Sequence, residues 1–119
     1  MQLKQKSIVA AVVAGVMLIA SVSLAIPAFM KTFMEMYKIS STSTLGKAQC
    51  AICHPAKNKT GTLNPYGQDL QKAMKAAKTK VLTKSILQKA EGLDSDKDGF
   101  CNIAEIKADT LPGDPKSHH

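Results

Sequence analysis

Arginine and tryptophan are both absent from this chain of 119 residues, which holds only two tyrosines and three phenylalanines. Proteins that read bases rely on arginine forks against base edges or on aromatic rings as stacking platforms. With neither in supply, the net charge of +7 does not indicate a nucleic-acid partner. No stretch alternates apolar and polar residues as a half-buried strand does, and no internal unit repeats. A sheet-based fold is therefore excluded and an all-α domain with long loops is expected. No constellation of residues suits hydrolysis or group transfer. Cysteine is scarce as well, with Cys50, Cys53 and Cys101 alone.

What is present begins with an export signal. Lys4 and Lys6 precede an apolar run over residues 8–20, and small residues follow at Ser23 and Ala25. This pattern predicts a signal peptide over residues 1–25, cleaved before Ile26. Read as continuous over residues 7–30, the apolar stretch is also long enough for an uncleaved membrane anchor. Both readings leave the lysines inside and carry the remainder to the periplasm or another exported compartment. The membrane is reached only through this segment, and only if it is retained.

The exported part, 26–119, carries 14 Lys against 9 acidic residues, unevenly spread. Between residues 47 and 90 there are nine Lys and one acid, Asp69, whereas residues 91–114 hold seven acids and two Lys. Two sites of opposite character are implied, with the basic segment suited to acidic protein partners. Pro27 opens a helical pattern in which Phe29, Phe33 and Tyr37 lie four apart, beside Met30 and Met34. This predicts an amphipathic helix followed by a polar hinge, together spanning residues 26–44. A short helix is expected over 45–53, then a loop. A helix capped by Asn64 and opened by Pro65 follows, with Leu70, Met74 and Ala77 facing inward. A further helix over 83–91 ends at Gly92, and a last one spans about 102–108.

The segment QCAICHPAKN raises the main question. Cys50 and Cys53 are two residues apart, with His54 directly behind. A disulfide oxidoreductase places such a pair at the start of a helix in a strand–helix–strand fold, for which no strands are available. Structural zinc needs four ligands, usually two such pairs, and Cys101 has no second cysteine beside it. Haem attachment needs what is here: two thiols for the porphyrin vinyl groups and a histidine falling under the ring. Export supports this choice, because c-type haem is attached outside the cytoplasm.

CAICH thus resembles the attachment site of the c-type cytochromes, over about residues 45–78 of a haem-binding region at 45–93. The resemblance implies a small cytochrome c-like fold and one covalent haem c, since the motif occurs once. Cys50 and Cys53 are then the attachment points and His54 the proximal iron ligand. Many small relatives use a methionine on the distal side, and Met74 is the leading candidate for it here. Met30, Met34, Met36, His118 and His119 are further candidates, and an open position also satisfies the sequence.

The stretch DSDKDGFCNIAE, residues 94–105, fits the twelve-residue calcium loop. Asp94, Asp96 and Asp98 take the first, third and fifth positions, and Gly99 the turn at the sixth. The Phe100 carbonyl is expected at the seventh, Asn102 at the ninth, directly or through water, and Glu105 at the twelfth. The loop and its tail, residues 94–115, resemble EF-hand loops, and more closely the calcium repeats of thrombospondin type 3. A lone loop suggests a structural Ca2+ site rather than a signalling switch. Cys101 within it reads as an apolar filler or as a free thiol for intermolecular pairing.

The expectation is an exported monohaem electron carrier that is not an enzyme and docks acidic redox partner proteins. The alternatives are a haem sensor or peroxidase-like subunit with an open distal position, and a calcium-binding interaction module.

Overall fold

The computed structural model describes residues 27–118; the signal or anchor expected over 1–25 lies outside the described residues. Among the described residues there are five α-helices and no strand. They are α1 (Pro27–Tyr37), α2 (Thr44–Ala48), α3 (Pro65–Ala76), α4 (Lys84–Glu91) and α5 (Asn102–Lys107), with a 3₁₀ turn, Gln49–Ile52, directly after α2. The all-α expectation holds at this level. No described helix is long and apolar enough to cross a membrane.

Local chemistry explains where the helices start. Ser43, Asn64 and Thr83 each accept a hydrogen bond from the backbone N–H three residues on, capping α2, α3 and α4. Such caps contribute about 1 kcal/mol apiece. Pro65 sits at the first helical position, where no N–H is needed. Three helix ends share another device. Lys38, Lys78 and Asp109 adopt left-handed backbone (φ 52–59°). Each lets the next N–H reach back, Ile39 to Met34, Thr79 to Met74 and Thr110 to Glu105.

The core consists of Phe33 from α1, Leu45 from α2, Ile52 from the turn, Tyr66 and Leu70 from α3, Leu82, Ile86, Leu87 and Ala90 around α4, and Ile106 from α5. Burying each large aliphatic or aromatic side chain contributes roughly 1.5–3 kcal/mol. Phe33 packs edge-on against Tyr37 and Tyr66, with ring centroids 5.0 and 6.4 Å apart. Helix α4 packs against α1, α3 and α5, so it is the centre of the bundle.

The inward face of α3 differs from the expected one. Tyr66 and Leu70 are buried, Ala73 and Met74 pack partly against the core, and Ala77 is exposed. Ala77 is already the C-cap of α3, beyond the turn that α4 covers. The C-terminal segment is not a loose tail. Leu111 packs on the core, Pro112 is fully buried, and Gly113 lies against the side chain of Asn64.

Candidate functional site

The Cys50–His54 segment is held from behind by Asn64. Its side-chain amide donates to the carbonyl of Ile52 (2.9 Å), with longer contacts to Ala51 and His54, both 3.4 Å. Its backbone N–H donates to Cys53 O at 2.9 Å, while its Oδ1 caps α3 through Gly67 N. Gly67 itself lies directly against the Cys53 carbonyl, where any Cβ would collide. One buried asparagine therefore fixes the motif loop onto the start of α3. Satisfying several buried carbonyls at once is worth more than one isolated bond.

On its other side the motif faces a cleft of about 360 Å³, within the range of small-molecule and cofactor pockets. Cys50, Cys53 and His54 line it together with Phe29, Met30, Phe33, Ile52 and Leu82. Three sequence-predicted residues are thus brought together on an apolar wall. The Nδ1 atom of His54 is hydrogen-bonded to the carbonyl of Thr62. A carbonyl can only accept, so Nδ1 is the donor, and in the neutral ring the free lone pair is then on Nε2. A metal-ligating histidine uses its second nitrogen in this manner to fix ring orientation and tautomer.

Burial, and then the neighbouring Cys50, push the Cys53 thiol up to about 12. A thiol held protonated is a poor attacking group for disulfide exchange. Nor do the cysteines and His54 form a compact metal cluster. Among the described residues, three ligand atoms within 4.8 Å of one another are found at Asp94, Asp96 and Asp98. Met74 is not among the residues lining the cleft; it lies on α3 against the core. His118 lines a separate cavity of about 290 Å³ beside Phe100 and Glu105.

The acidic loop is built around Asp94, whose two oxygens accept from the N–H groups of Asp98 (3.1 Å) and Gly99 (2.9 Å). Gly99 has φ +97°, which closes the turn and suits glycine. Asp98 accepts from Phe100 N at 2.9 Å, and this bond above all holds its carboxyl below the usual range. Glu105 is buried, and neither of its carboxylate oxygens has a hydrogen-bond partner; one oxygen each of Asp96 and Asp98 is in the same state. Burial first, and then Asp98, Asp96 and Asp94, push Glu105 up to about 8. Burial and Asp98 push Asp96 up to about 6. Buried carboxylate oxygens without partners are costly alone and are satisfied by a hard divalent cation.

Asn102 has a structural role that the loop pattern alone does not reveal. It is fully buried, its Oδ1 accepts from Ser95 N, and its Nδ2 donates to Ala90 O and Ser95 Oγ, both at 2.8 Å. Its amide clamps the loop to the end of α4. Phe100 presents a half-exposed ring, and its expected contribution was the backbone carbonyl alone. Cys101 is partly buried at the N-cap of α5, with its thiol free.

Two links tie the C-terminal region to α3 and α2, and neither was predicted. Ser95 Oγ donates to Asp69 on α3 at 2.8 Å. Asp109, just after α5, accepts from Thr44 N (2.7 Å) and Leu45 N (2.9 Å) at the start of α2, the helix that leads into Cys50. Comparison with protein-family models, curated proteins and solved structures gave no match to this chain.

Proposed function

We propose that this protein is an exported monohaem c-type cytochrome that carries electrons between larger redox proteins, with a structural calcium site in its C-terminal loop. The observation that carries the reading is the state of His54. It directly follows two cysteines at thioether spacing, holds its proton on Nδ1 through Thr62, and lines an apolar cleft with both cysteines. Haem bound there would supply a one-electron iron couple. Cys50 and Cys53 would anchor it, and His54 Nε2 would ligate its iron.

The remaining residues tune rather than react. Phe29, Phe33, Ile52 and Leu82 give the cleft an apolar wall, which would favour the less charged iron state and raise the potential. Lys57 and Lys59 are exposed on the loop that also supplies Thr60 to the cleft wall. Positive charge at that edge would orient acidic partner proteins for brief encounters. In the acidic loop, Asp94, Asp96, Asp98 and Glu105 would hold Ca2+, and the ion would fix the register of α5. The proposed role is stabilisation of a small domain.

Haem staining of the exported protein after reducing, denaturing electrophoresis tests the reading. A stained band at the polypeptide's position supports it. An unstained band, with both thiols free to alkylation, refutes it and leaves the calcium-binding interaction module.

A further inference from the structure

We infer that Met30, on the N-terminal helix, supplies the sixth ligand to the iron, so that α1 is part of the redox centre rather than a spacer after the export segment. The inference rests on the haem reading above and concerns the face of the iron opposite His54. The residues lining the cleft that carry a donor side-chain atom are Gln49, Cys50, Cys53, His54, Thr60 and Met30. Both cysteines are committed to thioethers and His54 to the proximal position. Gln49 adjoins Cys50 in the same 3₁₀ turn, and its amide is a poor ligand for haem iron. Thr60 belongs to the exposed loop that follows the motif.

Met30 comes from a different element, α1, which contributes Phe29 and Phe33 to the same wall. Its thioether is a soft ligand that suits low-spin haem iron. It is partly buried and packed against the core, so its side chain is already ordered beside the cleft. Met74, the expected candidate, packs against the core without lining the cleft. Met34 and Met36 are likewise outside the lining set. Phe33, one turn along α1 and only 2 % exposed, is locked between Tyr37 and Tyr66. Phe33 lines the same cleft as Met30, so this anchor holds the Met30 turn of α1 against it.

The test uses full-length protein matured in an exporting host, with Met30→Leu, Met30→His and Met74→Leu variants. Leucine conserves volume, so the fold is retained. The readouts are haem staining, the sulfur-to-iron charge-transfer band of the oxidised protein, and carbon monoxide binding by the reduced protein. Wild type and Met74→Leu should show the band and bind little carbon monoxide. Met30→Leu should keep its covalent haem, lose the band, fall in reduction potential and bind carbon monoxide at one per haem. Met30→His should restore a six-coordinate iron without the sulfur band. Haem-stained Met30→Leu that retains the band overturns the inference and leaves the haem reading standing, as does wild type that takes up stoichiometric carbon monoxide. Wild type with no covalent haem overturns both.

Discussion

Asn64 donates its side-chain amide to the carbonyl of Ile52 at 2.9 Å, while its own Oδ1 accepts from Gly67 N to start α3. One residue thus ties the cysteine motif to the next helix. Asn64→Ala removes the cap and strands buried carbonyls, and should cost about 2–4 kcal/mol. Asn64→Asp keeps the cap oxygen, loses the donors and places a charge against the Ile52 carbonyl. It should be as harmful or worse. Chemical denaturation of both variants checks this, and the yield of haem-stained protein should fall in parallel.

The cap supplied by Asp109 joins the C-terminal segment to α2. Burial opposes its charge, but the N–H groups of Leu45 and Thr44 prevail and hold its carboxyl below the usual range. A carboxyl with a lowered folded pKa stabilises the fold above its unfolded pKa, near 3.8, and this contribution is lost as pH falls through the folded value. Asp109→Asn should therefore cost about 1 kcal/mol at neutral pH. The deficit relative to wild type should shrink as pH falls below 3.8. Thermal melts at pH 7 and pH 3 decide it.

Which of these contacts the sequence could show depends on their range. The caps at Ser43, Asn64 and Thr83 are local, each made within three residues, and the pattern of polar residues before apolar runs exposes them. The bond from Thr44 N to Asp109 spans 65 positions, and nothing around either residue indicates the other. Asn102 shows the same limit. Its place in a twelve-residue loop suggests a ligand, yet the packed end of α4 at Ala90 claims its amide. Helical periodicity likewise puts Met30 and Met74 on apolar faces. It does not say which face meets the cleft.

The acidic loop gives a pH prediction of the opposite sign. Glu105 is raised from 4.5 to about 8 and Asp96 from 3.8 to about 6, in both cases by burial and then by neighbouring carboxylates. Between pH 5 and 8 the metal-free folded chain therefore binds more protons than the unfolded one. Its stability should fall as pH rises through this window. Calcium should reverse the trend, and its binding at pH 7 should release protons, measurable by calorimetry in buffers of different ionisation enthalpy.

Glu105→Gln separates the two states of the loop. Without metal it removes a buried charge, and the variant should melt higher than wild type at pH 8. With calcium the ranking should invert, because the affinity falls by about tenfold or more, equivalent to ~1.4 kcal/mol. Paired melts in chelator and in calcium check both halves. If Glu105→Gln melts lower than wild type in both media, the carboxylate is structural rather than a cation ligand.

The central proposal, that Cys50 and Cys53 would carry a haem whose iron His54 would ligate, is tested most directly by the intact mass of the mature exported chain. The account predicts the polypeptide mass plus one haem, with the adduct on the peptide containing Cys50 and Cys53. It also predicts that the adduct disappears in the Cys50→Ser, Cys53→Ser double variant. A mature chain from a haem-maturing host that carries the bare polypeptide mass, with Cys50 and Cys53 as thiols or as a disulfide, would contradict it.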